Sequence, residues 1–327
     1  MALRSNLEYW QISLTHPEPV GETFYRHDEI IVENETYLST TTQLRELITT
    51  YCILQEIGTE VSTMGQVIVS IDSILRDTQN IQYTEFVAYW KCLDLTFSVY
   101  KATEDDTQRL NILKEALNEY CRRRRRLYDR LGYGRTVQQA LYDSSKSRSQ
   151  GSAGAQKVET ILQEVVGEVM RKVKTAEEFQ DTPACWLALS DKETFAQLMR
   201  LLGARYSFGK AHQGKVPDLA AKFHKTVFII EAKHIKEPGG AQDKQIRELI
   251  AFISQKEPNG LPCYVAFLDG LYFNIIASAK EGTNPHRQRA DIENALRRNP
   301  PNYFVNTAGL RQLLDDAAKL LNPEASV

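Results

Sequence analysis

Apolar positions recur at helical spacing through the first half of the chain. Leu44, Leu47, Ile48, Tyr51 and Leu54 fall on one side of a helix, the stripe of an amphipathic segment. Residues 61–77, 81–103 and 107–131 follow the same period, with breaks near Gly58–Thr59, Thr78–Asn80 and Asp105–Asp106. The last is expected to stop at "LGYGR", where Gly132 and Gly134 are natural helix ends. Residues 1 to about 40 show no clear period, and "YWQISL" and "EIIVEN" are read there as short strands.

The pattern changes at "YDSSKSRSQGSAGAQ", Tyr142 to Gln156, where apolar residues almost vanish. This reads as a loop and a domain boundary, dividing a mainly helical region, 1–141, from a second domain, 142–327. Beyond it, residues 155–171 carry a helical stripe of Val158, Ile161, Leu162, Val165 and Val169, and "FAQLMRLLGA" is a short helix. "TVFIIEAKH" is a strand, residues 242–254 a helix with stripe Ile246, Leu249, Ile250 and Ile253, and about 307–321 a closing helix. "PCYVAFLDG" and "LYFNIIAS" are read as two strands joined at Asp269-Gly270. Alternating helix and strand predicts an α/β fold around a mixed sheet.

One strand ends in charge. Strand side chains alternate, so Val227, Ile229, Glu231 and Lys233 share a face while Phe228, Ile230, Ala232 and His234 share the other. Along the first face the chemistry turns from apolar to ionic, which places the strand's start in a core and its end in a cleft. Asp218 follows Pro217 and precedes Glu231 by one short strand and a turn at "FHKT". A hairpin of that size brings the two carboxylates together. Two ionised carboxylates in one site repel unless one is protonated or a cation sits between them. Mg²⁺ suits them, since it takes one or two carboxylates with water and phosphate oxygens. Lys233 would add positive charge beside a phosphate. Alone, Glu-x-Lys is usually a solvated cross-strand pair and Pro-Asp a turn signal; the apolar approach strand makes the combination much more specific.

Charge is uneven. The net charge is −2, yet Cys121–Gln150 holds nine Lys/Arg against two Asp/Glu, a localised surface for a polyanion. The five consecutive arginines of "CRRRRRLYDR", Arg122, Arg123 and Arg126 among them, wrap more than one helical turn and cannot all share a face; phosphate contact and a salt-bridged, solvated helix end both remain open. Arg135, Lys146 and Arg148 extend it. The five cysteines are scattered without a C-x-x-C, which indicates neither a zinc site nor a disulfide framework. No apolar run approaches the roughly 18 residues of a membrane span, and the N-terminus lacks a secretory apolar core. The expected location is cytoplasmic, with no membrane partner.

Pro217-Asp218, twelve residues, then Glu231-Ala232-Lys233 resembles the PD-(D/E)xK nuclease superfamily, the fold of many restriction endonucleases. The likeness covers roughly residues 145–280 and implies a restriction-endonuclease-like mixed sheet flanked by helices. Two further stretches are similar to type II restriction enzymes. "SSKSRSQGSAGAQKVETIL" runs into a helix carrying Glu159, either a carboxylate near the metal or a plain surface residue. "KHIKEPGGAQDKQIREL" has Gly239-Gly240, read as allowing close backbone approach, before a helix whose first turn offers Gln242, Lys244 and Gln245 to phosphate or bases. His234 is read as a packed or supporting histidine.

The resemblance implies a type II restriction endonuclease. It would hydrolyse double-stranded DNA at a short specific sequence with Mg²⁺, leaving 5′-phosphate and 3′-hydroxyl ends. Asp218 and Glu231 would hold the metal, with Lys233 and Glu159 as further catalytic residues. The implied partners are double-stranded DNA, a second copy of the chain as a homodimer, and a companion DNA methyltransferase. Two alternatives stay open: a structure-specific repair or junction nuclease of the same fold, and a non-catalytic DNA-binding protein.

Overall fold

A computed structural model describes residues 3–20, 24, 29–58, 61–124, 126, 130, 134–146, 153–206, 215–258 and 260–321. The chain divides into two compact units, Met1–Arg26 with Gln150–Val327, and His27–Ser149. The division falls at residues 149–150, not 141–142, and the first 26 residues join the second half of the chain.

Those first residues form helix α1, Asn6–Thr15, so "YWQISL" is not a strand. Consecutive aromatic residues fit either period, and Ser5-x-x-Glu8 decides. Glu8 N–H donates to Ser5 Oγ at 3.3 Å and Ser5 N–H to Glu8 Oε2 at 2.8 Å, a reciprocal cap that starts a helix. Tyr9 and Trp10 are buried, and α1 packs beside the last strand of the sheet.

The second unit has helices and no strand among its described residues: α2 (Glu35–Ile57), α3 (Val61–Asp77), α4 (Glu85–Tyr89), α5 (Phe97–Ala102), α6 (Asp106–Arg123) and α7 (Arg135–Lys146). "EIIVEN" holds a 3-10 turn, Ile31–Glu33, instead of a strand. The single helix expected over 81–103 is broken into short pieces, with Asp94 in the left-handed region at φ 55°. Serine-rich 142–146 continues α7, because Leu141 and Tyr142 still pack inward. Ile48, Tyr51, Ile71, Leu75, Trp90 and Leu117 form the core. Within it Arg109 donates to both oxygens of Asp72, at 2.9 and 3.2 Å. Cys52 of α2 and Cys121 of α6 are joined by a disulfide with Cα atoms 5.7 Å apart. This corrects the expectation of scattered thiols: a pair 69 residues apart leaves no local spacing signal.

The first unit is a six-stranded sheet in chain order: β1 (Arg171–Val173), β2 (Ala184–Ala188), β3 (Leu219–Phe223), β4 (Thr226–His234), β5 (Cys263–Asp269) and β6 (Tyr303–Val305). β2–β3 and β3–β4 are antiparallel; the other neighbours are parallel. The sheet is therefore mixed and the unit α/β. Val227 and Ile229 face one layer with helices α9 (Ala176–Asp181), α10 (Lys192–Leu201), α11 (Gly240–Ile253), α12 (Tyr272–Ala277) and α13 (Asn284–Arg298). Phe228, Ile230 and Ala232 face the other, with α8 (Ala153–Val166) and α14 (Thr307–Lys319). Helix α12 replaces the strand expected at "LYFNIIAS". Gly270, at φ 94°, turns the chain off the sheet, and Tyr272 N–H donates to Ile235 O at 3.1 Å. The place beside β5 is taken by β6.

Candidate functional site

The β3–β4 hairpin turns at His224, φ 53°, and pairs Leu219 with Ile230. Asp218 N–H donates to Ile230 O at 3.0 Å, and Asp218 O accepts from Leu189 N–H at 3.0 Å. The chain thus stays bonded to β4 one step past β3, which leaves Asp218 at the end of β4, close enough to Glu231 to feel its charge. Asp218 Oδ2 accepts from Ala232 N–H at 2.8 Å, which locks the acid onto the strand end.

Glu231 is buried, with 2% of its surface exposed. Its Oε1 accepts from Lys233 Nζ at 2.5 Å and from Lys215 Nζ at 2.9 Å. Lys215 Nζ also donates to Glu248 Oε2 of α11 at 2.8 Å. Burial, and then the charge of Glu231, push the Asp218 carboxyl up to about 6. Burial works against the Lys215 ammonium, but Glu231 and Glu248 more than offset it and its pKa rises. Among the described residues three carboxylates and two ammoniums therefore meet where β4 leaves the core.

Asp218 and Glu231 are hard oxygen donors whose mutual repulsion a cation relieves. Among the described residues no group of three or more His, Cys, Asp or Glu is placed to hold a metal. The oxygen donors at hand for a hard cation are thus the two carboxylates Asp218 and Glu231, short of an all-protein cage.

Glu159 is not brought to this cluster. Helix α8 packs on the opposite face of the sheet, and Glu159 accepts from Lys172 Nζ of edge strand β1 at 3.2 Å. The carboxylate that joins the site instead is Glu248. Phe252, buried four residues on, extends the α11 stripe towards it and was the available signal. Lys215 carried no such signal, since it precedes the strand.

On the far face a second charged group clamps the strand end. His234 Nδ1 lies 2.8 Å from Asp269 Oδ2, and Lys157 Nζ of α8 is 2.7 Å from Asp269 Oδ1 and 3.6 Å from Glu18 Oε2. Burial, then Asp269, raise the Glu18 carboxyl to about 7. His234 thus faces away from Glu231. A Cβ on Gly154 would stand 3.3 Å from Ala232 Cβ, so glycine and alanine let α8 approach the middle of Glu-Ala-Lys closely.

Gln242 and Gln245 are half-buried and Lys244 exposed in the first turns of α11. Gly239 has φ 168°, extended backbone open to any residue, and Gly240 has open space at its Cβ position. The glycine pair is therefore not required by backbone angle; the Gln242 amide folds over Gly239. In the helical unit Arg122 and Arg123 both pair with Glu119, at 2.7 and 2.6 Å, and Arg126 is exposed. Lys146 is the last residue of α7, and Arg148 lies outside the described residues.

No family model matches the chain, and no curated protein or solved structure matches it.

Proposed function

We propose that the chain is a Mg²⁺-dependent endodeoxyribonuclease of the restriction type, hydrolysing double-stranded DNA at a short specific sequence. The observation that carries the reading is Asp218 held on the β4 end beside buried Glu231, with Lys233 on the same strand end. A mixed sheet with α8 on one face and α11 on the other supports the reading.

Asp218 and Glu231 would hold the ion. When bound, Mg²⁺ supplies charge neutralisation at the phosphate and acidifies water. Lys233, held by Glu231, presents an ammonium to a phosphate oxygen and stabilises the charge that builds as water adds to phosphorus. The bond to the 3′ oxygen breaks, leaving 5′-phosphate and 3′-hydroxyl ends. Lys244 and the half-buried amides of Gln242 and Gln245 offer donors to backbone or bases. Arg122, Arg123 and Arg126 offer cations to phosphates, the first two shared with Glu119. A palindromic target calls for a two-fold dimer, and host DNA then needs a companion methyltransferase.

The test is a cut map. Sequenced plasmids are incubated with the chain and MgCl₂ and the ends are read. Discrete fragments sharing a short motif support the reading. Intact DNA, unmapped smears, or cleavage confined to branched or flapped substrates contradict it.

A further inference from the structure

Lys215 reaches the site from the chain ahead of β3, three residues before Asp218. Its Nζ stands between two carboxylates on different elements, 2.9 Å from Glu231 Oε1 and 2.8 Å from Glu248 Oε2. Lys233 meets the same Glu231 oxygen at 2.5 Å but otherwise holds its own strand, donating to Ala232 O at 3.1 Å. The two lysines therefore differ. Among the described residues Lys233 bonds within β4, whereas Lys215 ties β4 to α11. Both are partly exposed, at 27% for Lys215 and 20% for Lys233, while Glu231 is sealed beneath them at 3%.

We propose that Lys215 is a positioning residue for the divalent ion of the nuclease reading, on which this inference rests: a tethered cation that bridges Glu231 to Glu248 and competes with the ion for Glu231. A carboxylate oxygen that accepts from two ammoniums has little lone-pair capacity left for a metal. An ion coordinated there also meets the Lys215 charge within a few ångströms. The bridge keeps Glu231 and Glu248 from repelling one another, and displacing Lys215 is part of the cost of metal entry. Lys233 remains in place to serve the phosphate.

The test is calorimetric titration with MnCl₂, a hard divalent probe, on four chains: wild type, K215Q, K215R and D218A. Removing a unit charge a few ångströms from the ion should tighten binding by about tenfold after screening. K215Q is expected to gain that factor, and K215R, which keeps the charge, to stay within about threefold of wild type. D218A should bind weakly. Equal or weaker binding by K215Q, with binding lost in D218A, overturns the role of Lys215 and leaves the metal reading standing. No uptake by wild type, K215Q and K215R alike overturns both. A measurement on the unaltered chain guards against misfolding of K215Q. Reductive methylation mapped by peptide mass should label Lys215 faster when MgCl₂ is added, while an unchanged or slower rate contradicts the competition.

Discussion

Asp218 serves two ends that oppose each other. Its carboxylate anchors the strand end through Ala232 N–H, yet burial and Glu231 raise its pKa to about 6. The folded state therefore holds the Asp218 proton more tightly than the unfolded chain does, where the ordinary value is 3.8. The ionised group is a cost absent below about pH 4, growing towards pH 6 and fully present above it. D218N, which keeps an oxygen for Ala232 N–H, should melt higher than wild type at pH 8, and the gain should vanish near pH 4. An unchanged or lowered melting temperature at pH 8 argues against the buried, repelled carboxylate. K233A should lose roughly 100-fold or more in cleavage rate while staying folded, the usual effect of removing one group that stabilises developing charge. A rate within threefold of wild type takes Lys233 out of the chemistry. Asp218, Glu231 and Lys233 were legible because strand parity and hairpin length are local properties. Lys215 was not, since it arrives from outside the hairpin and only tertiary packing brings it there; for Glu248 the Phe252 edge of the α11 stripe was the one signal.

Elements were legible where one period dominated. β4 and α3 lie where the pattern sets them, Thr226–His234 and Val61–Asp77. α1 and α12 were misread because runs such as "YWQISL" and "LYFNIIAS" are apolar on both faces of a helix or a strand. β1, β2 and β6 were missed: they are only three to five residues long, too short for alternation to register. The clamp behind the strand end also joins distant elements. Lys157 of α8, buried to 3%, holds Asp269 of β5, buried to 1%, beside Glu18 of the first residues. K157M leaves two buried carboxylates facing each other without that ammonium. A loss of about 3–5 kcal/mol in a urea melt is expected. A loss under about 1 kcal/mol would show that Asp269 and Glu18 are not held this way.

The whole molecule is two units, each with its own core, and the chain begins in the sheet unit before building the helical one. Composition marked the helical half but gave no hint that α1 belongs to the other. The disulfide lies within the helical unit, and Cys92, Cys185 and Cys263 are free thiols. Titration of the denatured, unreduced chain should therefore find three thiols and the reduced chain five. Five thiols without reduction contradicts the Cys52–Cys121 bond. If Asp218 and Glu231 seat a divalent ion with which the chain cuts DNA, the decisive measurement follows supercoiled plasmid with wild type and with E231Q, each in MgCl₂ and in excess chelator. Linear or defined fragments from wild type in MgCl₂ alone are expected. Equal cutting by E231Q, or cutting that survives the chelator, contradicts the account.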